Sequence, residues 1–330
     1  MKQLLAVNIY LYIIFAVLCC SPIHKNTTIA HNPVTSHYLY QADPTIFYDK
    51  GTYYLYGTND SNADLGFRVF ISKDLQNWRP SIKNNGWALR KGDAYGTKGF
   101  WAPQVFYYKG TYYMAYTANE QIAIAQSNSP EGPFTQRAMQ PIDSSVKEID
   151  PFVFIDNDKV YLYHVRLQHG NRIFVAQLND SLSTIVPNTV RECISAVNDP
   201  QPWENTKQVQ WTVTEGPCVI KRGGEYYMFY SANDFRNPDY AVGYATASSP
   251  EGPWTKYAGN PIINRQMAGV TGTGHGDLLK DKGGNWWYVL HTHHNDTVAA
   301  PRKTAIIGLH FNNDTISVDT NSFRYLEQKP

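Results

Sequence analysis

The chain is 330 residues long with a formal net charge of +1, and no Lys/Arg block stands out, so nucleic-acid binding has no electrostatic support. A hydrophobic content of 42% supports a sizeable core. An aromatic content of 14% favours extended structure, because bulky rings fit a pleated surface better than a helix, and it suits a protein that handles sugars.

At the N-terminus, Lys2 is followed by a largely apolar run from Leu4 to Leu18 and then Cys19, Cys20 and Ser21. A basic start, a short apolar stretch and small polar residues read as an export signal over residues 1–20, too short for a stable membrane span. The Cys pair leaves two types open, lipoprotein and ordinary secretion. The product is expected to be secreted, periplasmic or lipid-anchored at the cell surface. Residues 21–37 form a polar leader, and residues 38–330 the folded domain. Beyond the signal only Cys193 and Cys218 remain, without metal-site spacing, and they either pair or stay free. Asn-x-Ser/Thr sequons stand at Asn26, Asn59, Asn179, Asn295 and Asn313.

A repeat follows. YDKGTYYLYGT at Tyr48–Thr58 returns as YYKGTYYMAYT at Tyr107–Thr117, with weaker copies at Ile155–Val165, Ile220–Ser231 and Leu279–Thr292. Each copy is a short strand, a turn and a second aromatic strand, which is a β-hairpin signal. The turn residues Gly51, Gly110, Asp158, Gly224 and Gly284 are spaced 59, 48, 66 and 60 residues apart. Five copies at this period fit an all-β, five-bladed β-propeller of four-stranded blades. SKDLQNW at Ser72–Trp78, SPEGPFT at Ser129–Thr135 and SPEGPWT at Ser249–Thr255 supply the turn and outer edge strand of blades.

The innermost strand of a blade faces the axis, so polar residues at the starts of these strands converge. Asp43 precedes the first hairpin, Trp101 the second, Asp150 the third, Glu215 the fourth and His275 the fifth. We take these five as equivalent positions. Glu148 competes with Asp150, because residues two apart in a strand face the same way.

The ADP, WAP, IDPxxF, TEGP and GxGHG segments, in this order over nearly the whole chain after the signal, resemble glycoside hydrolase family 43. Its five-bladed propellers include α-L-arabinofuranosidases, β-xylosidases, endo-arabinanases and some galactanases. The N-D-P-N-G start of related fructan-active enzymes is absent. The resemblance implies an inverting hydrolase with Asp43 as general base, Glu215 as general acid and Asp150 raising the pKa of Glu215 and orienting it. It also implies substrate contacts from Trp101, Arg302 and His275, and a structural calcium on the axis beside His275. No other cofactor is implied. The implied partner is a polysaccharide or oligosaccharide of arabinan, arabinoxylan or xylan type, with no nucleic acid and no stable protein partner. Inversion needs one carboxylic acid to protonate the leaving oxygen and one carboxylate to draw a proton from water, roughly 6.5–9.5 Å apart.

The leading reading is an exo-acting arabinofuranosidase or β-xylosidase. Endo-arabinanase or galactanase action and a non-catalytic glycan-binding propeller are the alternatives. Asp49 and Asp156 fall at turn starts and read as solvated turn formers. His291 to His294 read as strand residues of the last hairpin, Phe67 and Trp87 as lining for outer subsites, and Arg302 alternatively as a solvated surface residue.

Overall fold

The computed structural model describes residues 37–312 and 315–329. The export signal, the leader up to residue 36 and the sequons at Asn26 and Asn313 lie outside them. The described chain is a five-bladed propeller built almost wholly of antiparallel strands. Its helices are single turns, Lys83–Gly86, Pro202–Asn205 and Arg265–Ala268.

The inner strands of blades 1 to 5 are Ala42–Asp49, Trp101–Tyr108, Glu148–Asp156, Thr214–Arg222 and Gly274–Lys280. Each pairs with the strand that follows it. In blades 1 to 4 the hairpin closes over two residues, both at positive φ: Lys50–Gly51, Lys109–Gly110, Asn157–Asp158 and Gly223–Gly224. Two left-handed residues give a turn whose twist matches that of the strands, which is why the repeat carries Gly, Asn and Asp there. In blade 5 the closing pair is Lys280 and Trp286, a longer loop with Gly284 at its end.

The SPEGP loops hold blades together. Tyr56 of blade 1 donates its hydroxyl to the Pro130 carbonyl, and Tyr163 of blade 3 does the same to Pro250 at 2.5 Å. Thr255–Lys256 is the outer strand of blade 4, whereas in blade 2 the outer edge reduces to a single bridge between Gln126 and Thr135.

Five apolar clusters make up the core, one at each contact between neighbouring blades. The ring is closed by two chain ends. His37–Tyr38 pairs with Glu327–Gln328 against blade 5, and Leu39 exchanges backbone hydrogen bonds with Leu326 and Thr304. Asp49 and Asp156 stand at the turn starts and are partly exposed, but they also tie blades together. Tyr112 of blade 2 donates to Asp49 at 2.9 Å, while Tyr226 and Lys221 of blade 4 bond Asp156 at 2.7 and 3.0 Å. Cys193 and Cys218 are both free.

Candidate active site

Each inner strand breaks register near its start with a β-bulge. The breaks fall between Ala42 and Thr45, Trp101 and Gln104, Ile149 and Phe152, Glu215 and Cys218, and Gly274 and Gly276. In each bulge one residue takes a left-handed backbone: Asp43 (φ 48°), Ala102 (45°), Asp150 (55°), Gly216 (60°) and His275 (36°). This corrects the alignment drawn from sequence. Asp43, Asp150 and His275 are equivalent, but Trp101 and Glu215 sit one residue earlier, level with Ala42, Ile149 and Gly274.

The left-handed residue needs a partner for its N–H, and the preceding blade supplies one. Thr58 Oγ1 accepts from Ala102 N at 2.9 Å, Thr117 Oγ1 from Asp150 N at 3.0 Å and Ser231 Oγ from His275 N at 2.7 Å. His291 Nδ1 accepts from Asp43 N at 3.1 Å. Each acceptor pairs across its hairpin with the residue just before the bulge. Blade 3 has Val165 at that point, which cannot accept. The N–H of Gly216 turns instead to Asp150 Oδ2, at 3.2 Å. Gly216 is required there, because a Cβ would lie 2.7 Å from the His275 ring.

Asp43, Trp101, Asp150, Glu215, His275 and Arg302 all line one cavity of about 440 Å³. Asp43 is buried and accepts from Arg302 Nη1 at 2.7 Å and Thr58 Oγ1 at 2.7 Å, with His275 Nδ1 at 3.3 Å. Burial alone would raise its carboxyl. The Arg302 guanidinium, with His275 and His291, outweighs burial and holds Asp43 well below the usual carboxylate range. Glu215 is the opposite case. Burial raises it to about 7, helped by the charges of Asp43 and Asp234, despite hydrogen bonds from Tyr240 at 2.8 Å and Asn171 at 3.0 Å. Asp150 is pushed well above its ordinary range by burial first and then by Glu215 and Asp43.

Arg302 is not a surface residue. It is buried between Asp43 and Asp60, which its Nη2 meets at 2.8 Å, with the Phe235 ring 4.5 Å from its guanidinium carbon. Glu148 is no rival to Asp150. The bulge breaks the alternation between them, and Glu148 is fully buried away from the cavity, bonded to Arg166 at 2.9 Å and lying 3.2 Å from His164. Phe67 is fully buried in the core between blades 1 and 2, so it lines no subsite. Trp87 packs under Arg68, 3.9 Å from its ring centroid, and is also absent from the cavity wall.

His291 is a strand residue as expected, whereas His293 and His294 lie beyond the strand, which ends at Thr292; His291 also supports Asp43. It is fully buried, stacked on Tyr240 with ring centroids 5.5 Å apart, and burial lowers it to about 4, so it stays neutral. Sequence reading missed Thr58, Asp60, Asn171, Trp211, Asp234, Phe235 and Tyr240. Most of these stand on loops, or at strand ends beyond the hairpin motif.

The residues present do not form a calcium cage. Among the described residues no three His, Cys, Asp or Glu side chains group as metal ligands. The axial cavity beside His275 holds about 20 Å³, and Asp277 on its wall already accepts from Thr45 and Cys218. Calcium takes six to eight oxygens.

The model of glycosyl hydrolases family 43 matches residues 30–316. The chain belongs to this family. It is therefore an inverting glycoside hydrolase. It is similar to an endo-1,4-β-xylanase from Bacteroides thetaiotaomicron VPI-5482, with 40% identity and a TM-score of 0.82 over 90% of this chain and 100% of that one. The xylosidase/arabinosidase 43A of Humicola insolens is 29% identical over 77% of this chain and 88% of its own length. A β-D-galactofuranosidase of Aspergillus niger is 26% identical over 87% of this chain and 84% of its own.

Proposed function

We propose that this hydrolase removes terminal arabinofuranose or xylose from plant cell-wall polysaccharide, with Asp43 as general base, Glu215 as general acid and Asp150 as their modulator. The reading is carried by one observation: two carboxylates of a single cavity are driven to opposite protonation states. Asp43 is held ionised by Arg302, whereas Glu215 stays protonated to about pH 7. A pair of acids pushed apart in this way marks the base and the acid of a reaction. Asp43 draws a proton from water as that water attacks the anomeric carbon, and Glu215 gives its proton to the departing oxygen. Asp150 acts on Glu215 by holding the N–H of Gly216, the next residue, while burial and the Glu215 charge keep Asp150 itself well above its ordinary range. Names of relatives that include xylosidase and arabinosidase support the choice of sugars. Export through residues 1–20 belongs to the same proposal.

A second reading, endo-acting cleavage of xylan, is favoured by the name of the 40% identical structure. Aryl α-L-arabinofuranoside, β-D-xyloside and β-D-galactoside, tested beside arabinan and xylan, separate these. Exo action yields monosaccharide from the first minutes, while endo action yields oligosaccharides and a fast fall in viscosity. Glu215→Gln and Asp43→Asn should each lose roughly a hundredfold or more in kcat on polysaccharide. Near wild-type turnover by either variant would remove that residue's role.

A further inference from the structure

The two halves of the cavity are furnished by different blades. Asp43 is held by Thr58, Asp60 through Arg302, His275 and His291, all from blades 1 and 5 or the loops beyond their strands. Glu215 is approached by Tyr240 of its own blade, from blade 3 and from the loop that joins blade 3 to blade 4. That loop runs from Ile194, the end of the outer strand of blade 3, to Thr214. It is rigidly built. Glu204 is fully buried within it and accepts from Tyr230 at 2.8 Å and from Lys256 at 2.8 Å. Asn205 and Val209 bond each other in both directions at 2.9 Å.

At the cavity end of this loop stands Trp211, a residue 51% exposed although it lines the cavity. Its indole N–H donates to Asn171 Oδ1 at 2.9 Å. Because an indole nitrogen can only donate, this bond fixes which end of the Asn171 amide faces inward. Asn171 Nδ2 then donates to Glu215 Oε2 at 3.0 Å, and the Asn171 backbone N–H donates to the Thr212 carbonyl at 2.9 Å.

We propose that Trp211 is the platform for the sugar on the leaving-group side, and that through Asn171 it positions Glu215 against the glycosidic oxygen. This rests on Glu215 being the general acid. An acid that protonates the leaving oxygen must lie between the reacting sugar and the departing one. The exposed indole tied to that acid is the surface the departing ring meets, and its apolar face suits the face of a sugar.

The test compares two kinds of substrate with one glycone: arabinobiose or xylobiose, and the matching glycosyl fluoride, whose leaving group touches no platform and needs little protonation. Trp211→Ala should raise KM for the disaccharide about tenfold, which is 1.4 kcal/mol, and lower its kcat. Fluoride hydrolysis should stay within about twofold, since an unused contact costs nothing. Trp211→Phe keeps a platform but loses the N–H that orients Asn171. It should restore most of KM while kcat on the disaccharide stays low. Equal losses on both substrates, or no loss on either, would overturn the proposal. Glu215→Gln serves as the separate control. If it turned over the disaccharide normally, the acid assignment would fall, and this inference with it.

Discussion

Arg302→Met isolates what holds Asp43 ionised. The guanidinium lies 2.7 Å from Asp43 Oδ1 and is its strongest charge-stabilising neighbour, acting against burial. An opposite charge at this range lowers a carboxyl pKa by roughly 1–3 units. Without it burial dominates, and the Asp43 pKa should rise by that amount. The general base must be deprotonated, so the acidic limb of kcat/KM against pH should move up by about 1–3 units. At a pH one unit below the new value only about a tenth of the enzyme would be active, from the tenfold-per-unit titration. Stability changes in a related way. Asp43 is a depressed carboxylate, so its pairing stabilises the fold above the ordinary carboxylate pKa, and that contribution disappears as pH falls through the lower folded value. Removing the arginine leaves buried Asp43 beside partly buried Asp60 with no counter-charge, which should cost about 3–5 kcal/mol, or a Tm lower by roughly 6–10 °C. Arg302→Lys keeps a charge and should move the limb less. A folded Arg302→Met enzyme whose acidic limb stays in place, with only KM raised, would refute the reasoning and make Arg302 a substrate contact alone.

Asp150→Asn retains an oxygen for the Gly216 N–H, and because burial and the Glu215 charge hold Asp150 well above its ordinary range it removes no charge while Glu215 titrates. The alkaline limb of the pH profile should therefore stay in place while kcat falls; a limb moved down would show that Asp150 acts on Glu215 by charge. Glu148→Gln, which disturbs the buried contacts with Arg166 and His164, should lower Tm by several degrees, on the order of 3 kcal/mol. It should leave both limbs where they were, and a changed pH profile would place Glu148 in the site after all. Dialysis against EDTA should leave rate and Tm unchanged, as the donor set beside His275 implies. A loss reversed by added calcium would show an ion held mainly through water.

The fold was readable because the hairpin repeat obeys a local rule in blades 1 to 4: two left-handed residues in the turn, with Lys-Gly, Asn-Asp or Gly-Gly supplying them. Motif order then brought five candidate residues to the cavity, and the family resemblance added Arg302. The errors share one origin. Strand alternation predicts that Glu148 and Asp150 face the same way, and it takes Asp43, Trp101 and Glu215 as equivalents, but a bulge inserts one residue and resets the alternation. No composition or spacing rule marks a bulge in advance. Phe67 was misplaced, and the surface alternative for Arg302 was left open, for a different reason. Whether a ring or a guanidinium is buried depends on partners far away in sequence, such as Phe100 against Phe67 and Asp60 against Arg302. The closing strand from His37 also depends on a pairing almost the whole length of the chain away.

The bulges explain why the acids differ although the blades are alike. A left-handed residue other than glycine is strained, and such a conformation persists only where its surroundings over-determine it. Here the N–H of each left-handed residue is caught by the preceding blade, through Thr58, Thr117, Ser231 and His291. The ring of captures fails at one place, where Val165 offers no acceptor, and there the carboxylate of Asp150 takes the Gly216 N–H. Asp150 is thereby tied to the backbone beside Glu215. Glu215, one position before its bulge, keeps its side chain for Tyr240 and Asn171. Asp43 meets the opposite surroundings, because Thr58 catches the N–H of Ala102 in the next blade and leaves the Asp43 carboxylate to Arg302. One repeated backbone device, broken once, therefore produces an ionised carboxylate on one side of the axis and a proton-holding pair on the other.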